Sequence, residues 1–122
     1  MERRNAMRDD ILKTIRSVPK GHVSSYGAIA KASGHPGAAR QVVAALRGGF
    51  DLPWHRIVGA GGAIKLRGDW AVEQRLRLEA EGVTFRGKRV NMRLHEHQFS
   101  DRKRKKAATR KRGKRKARRD GV

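Results

Sequence analysis

The chain contains no cysteine, and this absence excludes several kinds of chemistry. Without thiols there are no disulfides, no cysteine-ligated metal sites and no thiolate nucleophile. No run of about 18 apolar residues is present, so no membrane span is predicted. Residues 1–10 are charged and lack the apolar core of a signal peptide. We therefore expect a cytoplasmic protein that has no metal site and needs no cofactor.

Acidic residues are also scarce, with 11 Asp and Glu against 31 Lys and Arg and a formal net charge of +20. Residues 101–122 alone hold 13 of the basic residues and only two acidic ones. An excess of positive charge on this scale predicts a polyanionic partner, and nucleic acid is the first candidate. An anionic membrane surface is the weaker alternative, because the basic segment has no apolar face to insert.

The pattern of apolar residues predicts one mainly α-helical domain over residues 1–100. From residue 101 onward no apolar periodicity remains, so a disordered basic tail is predicted for 101–122. Ser25 is a plausible N-cap for one of the helices, and Pro36 suits the first turn of the next. The predicted helices cover residues 10–18, 26–33, 36–47 and 71–81, and alternation of Val90, Met92 and Leu94 predicts a strand or extended segment within 85–99.

Two of these helices, joined by a turn containing Gly34, predict a helix-turn-helix. The second of them has an apolar face at helical spacing that should point toward the core: Ala39, Val42, Val43 and Leu46. Arg40, Ala44 and Arg47 align on another face. A small residue between two arginines suits close approach to a groove lined by phosphates.

The tetrapeptide Pro53-Trp54-His55-Arg56 resembles the Pro-Cys-His-Arg active-site motif of O6-alkylguanine-DNA alkyltransferases, with tryptophan in place of the nucleophile. Other blocks in the same order strengthen the resemblance, which extends over roughly residues 7–85. They are residues 18–27, residues 34–40 (GHPGAAR, against Gly-Asn-Pro-x-Ala-Ala-Arg), residues 46–48, and the closing Glu-Gly at 81–82. The pattern is most similar to the alkyltransferase-like branch of that family, and it implies a winged-helix-like helix-turn-helix domain.

The resemblance implies roles for particular residues. Arg40 matches the arginine that enters the duplex and fills the space left by a flipped nucleotide. Tyr26 matches the tyrosine that helps to rotate the nucleotide through its phosphate, and Ala44 lies on the helix that occupies the minor groove. Trp54 should form a wall of the base pocket, and Arg67 lies where relatives contact the extruded base. We predict that Tyr26, Arg40, Ala44 and Arg47 bind DNA and that Trp54, His55 and Arg67 line a lesion pocket.

His55 and Glu81 match the pair that deprotonates the cysteine in true transferases. Without a thiol they have no proton to remove, so any role here is structural. Two isolated signals have simpler interpretations than function. His95 and His97 lack further ligands nearby in sequence, which argues against a metal site, and Trp70 is expected to pack against the adjacent helix.

The resemblance therefore implies a non-enzymatic, monomeric sensor that binds O6-alkylguanine in duplex DNA by nucleotide flipping. It would be associated with the nucleoid and would pass the lesion to nucleotide excision repair proteins. One alternative is a general nucleoid or transcription protein that binds DNA without lesion specificity. Another is an enzyme that uses Glu81 or His55 as its nucleophile.

Overall fold

The computed structural model describes residues 2–48 and 51–99, with side chains from Ala6 onward. The described residues form five α-helices and two small two-stranded sheets, which confirms the mainly α-helical prediction. The predicted disorder of residues 101–122 lies outside the described residues. The helices are α1 (Glu2–Arg16), α2 (Tyr26–Ala32), α3 (Ala39–Arg47), α4 (Asp69–Ala80) and α5 (Met92–His95), and the strands are β1 (Ser24–Ser25), β2 (Ile57–Val58), β3 (Phe85–Arg86) and β4 (Arg89–Val90).

Two apolar clusters form the core, and strand β2 joins them. Strand β1 pairs in parallel with β2, and β3 pairs antiparallel with β4. Successive side chains of a strand point to opposite faces. Accordingly, Ile57 belongs to the first cluster, with α1, α2 and α3, while Val58 belongs to the second, with Leu78 and Val90. The first cluster contains Ile11, Ile15, Val18, Ile29 and Val42, all at most 1% exposed.

Helix α2 begins where the sequence predicts, because Ser25 caps it. The Ser25 Oγ accepts a hydrogen bond from the Ala28 N–H at 3.1 Å, and the Ser25 backbone is extended. A serine N-cap satisfies one of the amide groups that a helix start leaves without a partner.

Ser25→Ala is therefore expected to lower the free energy of unfolding by about 1 kcal/mol. Urea denaturation at neutral pH measures this loss. Ser25→Asp keeps an acceptor at the cap and serves as the control, so a loss of the same size in both variants would contradict the capping explanation.

Helix α3 begins at Ala39, three residues after the predicted start. The reason is Gly37, whose φ of +88° is not helical, so the chain makes a turn before the helix can propagate. Val42 and Ala45 are the buried residues of α3. The predicted core face was therefore right for Val42 and for Leu46, which is half-buried against the first core cluster, but it missed Ala45 and included Ala39 and Val43, which are only half-buried.

The extended segment predicted from alternating apolar residues in 85–99 is interrupted at residues 91–95. Strands β3 and β4 form a short hairpin, and the chain then turns into α5, where Leu94 and His95 donate backbone hydrogen bonds to the Asn91 carbonyl. Val90 is buried, but Leu94 is 65% exposed, so the alternation does not describe one buried face. Past α5 the chain returns to pair with Val23.

Helix α4 starts at Asp69 and buries a different side from the one its apolar spacing suggests. Val72 and Leu76 are 58% and 57% exposed, whereas Gln74 and Leu78 are buried. In the described part of the chain no helix is long and apolar enough to cross a bilayer.

Candidate nucleic-acid interface

The outer face of α3 presents the residues predicted to bind DNA. Arg40, Ala44 and Arg47 are all exposed, and their spacing places them along one side of the helix. None of the ion pairs among the described residues involves either arginine. Both guanidinium groups can therefore turn toward phosphates or bases, and Ala44 leaves room between them for a close approach.

Tyr26 lies at the first position of α2, half-buried against the first core cluster. Burial raises the pKa of the Tyr26 hydroxyl above 10.0. The group therefore keeps its proton at neutral pH and can donate a hydrogen bond to a phosphate oxygen.

Trp54 opens a short 3₁₀ helix, Trp54–Arg56, and is surrounded by aromatic and cationic groups. Its ring meets the His55 ring edge-on at 6.1 Å and the Trp70 ring edge-on at 5.5 Å, measured between centroids. The Arg77 guanidinium lies 5.3 Å from the Trp54 ring centroid, within range of a cation–π contact. These contacts hold an indole where the related motif has its cysteine.

Trp70 does not occupy the position predicted for it. The sequence suggested a tryptophan packed against the adjacent helix, but Trp70 is 62% exposed in the first turn of α4 and its described ring contact is with Trp54. Arg67 is also exposed, in the segment that leads into α4. The assignment of Arg67 to the lesion pocket stays a prediction.

A compact charged network lies next to Trp54 and centres on Glu81. Arg56 donates to both carboxylate oxygens, at 3.0 and 2.8 Å, and the His55 Nε2 is 2.8 Å from Oε2. The Gly21 N–H also approaches Oε1, at 3.3 Å. Burial alone would raise the pKa of Glu81, but the hydrogen bonds from Arg56, His55 and Gly21 outweigh it and lower the pKa to about 2.

The ionised Glu81 fixes the orientation of the His55 imidazole. A carboxylate without a proton can only accept, so the proton of this hydrogen bond is on the His55 Nε2. The His55 Nδ1 is buried and has no hydrogen-bond partner among the described residues. His55 is 8% exposed, so little of its side chain reaches the surface, and its place in the lesion pocket stays a prediction.

Arg56 extends this network to the first core cluster. Its Nη1 donates to the Val18 carbonyl at 3.1 Å, while its other nitrogens bind Glu81. One side chain therefore ties the end of the α1 segment to the end of the α4 segment. Sequence analysis did not assign Arg56 a role beyond its place in the motif.

Gln74 is a second residue that sequence analysis missed. It is 1% exposed, and its Nε2 donates to the His55 carbonyl at 3.1 Å and to the Ile57 carbonyl at 2.9 Å. Gln74 lies in α4, so these two hydrogen bonds attach α4 to the backbone on either side of Arg56. One feature of the sequence could have indicated this burial. Gln74 is four positions before Leu78, so both residues lie on the buried side of α4.

In the described ranges no group of three potential metal ligands occurs, and His95 makes hydrogen bonds within the protein. The His95 Nε2 accepts from the Thr84 N–H at 3.0 Å, and its Nδ1 is 3.3 Å from the Gly21 carbonyl. His95 thus joins the hairpin to the turn at Gly21, which is a structural role.

Comparison with known proteins identifies the family. The family model for the DNA-binding domain of 6-O-methylguanine DNA methyltransferase matches residues 6–83. The chain is 40% identical over 90 residues to a DNA base-flipping protein of Escherichia coli, covering 71% of this chain and 70% of that protein. It is 41% identical over 78 residues to Alkyltransferase-like protein 1 of Schizosaccharomyces pombe, covering 60% and 72%.

A solved structure agrees with these sequence relationships. The fold matches that of S. pombe Atl1 in complex with damaged DNA containing O6-carboxymethylguanine, with a TM-score of 0.67 and 28% identity over 78% of this chain and 97% of that one. The chain therefore belongs to the family of the 6-O-methylguanine DNA methyltransferase DNA-binding domain, as an alkyltransferase-like member with Trp54 at the position of the cysteine.

Proposed function

We propose that this protein binds O6-alkylguanine in duplex DNA by rotating the damaged nucleotide out of the helix, without removing the alkyl group. The observation that carries the proposal is Trp54, an indole at the cysteine position, next to a Glu81 network that retains its hydrogen bonds. The relatives named as a base-flipping protein and as an alkyltransferase-like protein support it, as does the solved complex of such a protein with damaged DNA.

We assign each step of the proposed recognition to one or more residues. Helix α3 would enter the minor groove with Arg40, Ala44 and Arg47 facing the duplex. Extrusion of a nucleotide costs a few kcal/mol, and less where alkylation has already weakened pairing. Arg40 would offset part of this cost by filling the gap, and the Tyr26 hydroxyl would hold the rotated phosphate.

A catalytic role for the remaining polar groups is disfavoured by their hydrogen bonds. Glu81 accepts from Arg56, His55 and Gly21, and a carboxylate with a pKa of about 2 is a weak nucleophile. The His55 Nε2 already donates to Glu81, and its Nδ1 is buried. A protein that recognises the lesion but cannot repair it would pass it on, and we propose nucleotide excision repair proteins as the recipients.

The first experiment is equilibrium binding of the full chain to two duplexes that differ only in one O6-methylguanine. Extrusion of a nucleotide costs a few kcal/mol and costs less where alkylation has already weakened pairing, so a preference of about tenfold or more for the lesion is expected. A labelled methyl group on the lesion should stay on the DNA. Equal affinity for both duplexes would favour the general DNA-binding alternative, and label on the protein would favour an enzyme.

The basic tail is expected to raise affinity without adding discrimination. Removing residues 101–122 deletes 13 Lys and Arg, and each phosphate contact that is lost reduces the dependence of log Kd on log salt by about 0.9. The truncated chain should bind both duplexes more weakly, with a shallower salt dependence and an unchanged lesion preference at matched salt. A lost preference would instead show that the tail takes part in lesion recognition.

A further inference from the structure

Trp70 presents a large aromatic surface that the recognition steps above do not use. It is 62% exposed in the first turn of α4, immediately after Gly68 and Asp69. An isolated exposed apolar side chain is common on protein surfaces and by itself indicates nothing. Trp70 is not isolated, because its ring contacts Trp54, the residue at the position of the family's nucleophile.

The two indoles form an open corner. Their planes are inclined at 82° and their centroids are 5.5 Å apart, the edge-to-face arrangement that aromatic pairs prefer. Trp54 is only half-buried, but it is held by the His55 ring and by the Arg77 guanidinium. Arg77 is in turn paired with Glu73 at 2.6 Å. These contacts hold the Trp54 ring, which forms one side of the corner. The Trp70 ring forms the other side and has the larger exposed surface.

A corner of this shape suits a planar, aromatic ligand. A base stacked on the Trp70 ring would present its edge to Trp54, so a single ligand would contact both indoles. Stacking on an aromatic side chain favours every base, because each has a π face. The formal net charge of +20 favours nucleic acid as the source of such a ligand.

We propose that Trp70 is a second stacking wall for the extruded base, which would be held in the corner between Trp54 and Trp70. This inference rests on the proposed function, since it requires a nucleotide that has left the duplex. It adds a residue of α4 to the pocket, which sequence analysis assigned to Trp54, His55 and Arg67.

Trp70 can be tested cleanly because the fold depends little on its side chain. Most of the Trp70 surface is already in water, so Trp70→Ala removes little buried area. Leu76 offers a matched control, as a large apolar residue of the same helix that is 57% exposed and lies with Val72 and Ile64 in a shallow groove. Leu76→Ala removes a similar kind of surface away from the tryptophan pair.

The test is binding of full-length wild type, Trp70→Ala, Trp70→Phe and Leu76→Ala to the damaged and undamaged duplexes. Trp70→Ala is expected to weaken binding of the O6-methylguanine duplex about tenfold and to leave the undamaged duplex unchanged. Trp70→Phe should retain most of the affinity, and Leu76→Ala all of it. Equal weakening on both duplexes, or no change, would overturn the proposal.

Fluorescence provides an independent readout, since the chain has only two tryptophans. Wild-type emission should be quenched more by the damaged duplex than by the undamaged one, and Trp70→Phe, which leaves Trp54 as the only tryptophan, should lose most of that difference. Equal quenching would contradict stacking of an extruded base. If wild type itself does not distinguish the duplexes, the proposed function fails; if wild type does and Trp70→Ala still does, only this inference fails.

Discussion

Replacing Arg40 by alanine is expected to abolish the preference for an O6-methylguanine duplex while leaving most of the binding to undamaged DNA. Arg40 is the second residue of α3, exposed and outside the described ion pairs, so its removal should not disturb the fold. Its proposed task is to fill the gap left by the extruded nucleotide, and extrusion costs a few kcal/mol. Because this contact exists only in the flipped complex, its loss should reduce the affinity ratio of the two duplexes by about tenfold or more.

Arg47→Ala is the matched control, because it removes the same charge from the same exposed face of α3. It should weaken binding to both duplexes by a similar factor and reduce the salt slope by about one unit, as expected for a phosphate contact. The lesion preference should remain. If Arg40→Ala behaves like Arg47→Ala, Arg40 is another phosphate contact and nucleotide flipping must be supported by a different residue.

The parts of the fold that the sequence predicted correctly depend on neighbouring residues. Ser25 caps α2 through an amide three residues away, and the arginines of α3 share a face because of helix geometry alone. Patterns of this kind involve only residues within one or two helical turns, so a short stretch of sequence is enough to recognise them. The fold as a whole was predictable because short blocks in a fixed order resembled a known family.

The features that the sequence did not predict depend on contacts between distant segments. Gln74 can be buried because it donates hydrogen bonds to the carbonyls of His55 and Ile57. No residue near Gln74 in the sequence indicates that these two carbonyls lie opposite it. Leu94 is exposed because the chain turns into α5 after the hairpin, so the apparent alternation ends at Val90. Trp70 lies beside Trp54 through the packing of α4 against the 3₁₀ helix, which no local pattern encodes.

Replacing Glu81 by glutamine is expected to lower the free energy of unfolding at pH 7 by about 3 kcal/mol, the free energy that corresponds to a carboxylate whose pKa is lowered from 4.5 to about 2 in a partly buried ion pair. The Glu81 side chain is only 12% exposed. The Arg56 side chain is 18% exposed, and the substitution would remove its charged partner. The control is Glu79→Gln. Glu79 pairs with Arg75 on the same helix but is 47% exposed, and surface pairs of this kind contribute less than about 1 kcal/mol.

The pH dependence of the free energy of unfolding separates the effect of the negative charge of Glu81 from the effect of its side-chain size. Its pKa is about 2 in the folded protein against an ordinary value of 4.5, so its ionised form stabilises the fold fully above about pH 4.5. That contribution declines as the pH falls toward 2, because the unfolded chain takes up the proton first. Urea denaturation between pH 7 and pH 3 should show the gap between wild type and Glu81→Gln narrowing in acid. A gap that is independent of pH would contradict the ionic explanation.

The Glu81→Gln variant also tests whether the charged network around Glu81 contributes to lesion recognition. Glu81 orients His55 and Arg56, which immediately follow Trp54, so its loss should loosen the wall against which a base would pack. Under conditions where Glu81→Gln is fully folded, its preference for the O6-methylguanine duplex should fall, and its nonspecific affinity should persist because α3 lies in the other core cluster. An unchanged preference would mean that Gln74 and the contacts of Trp54 with Arg77 and Trp70 are sufficient to position the indole.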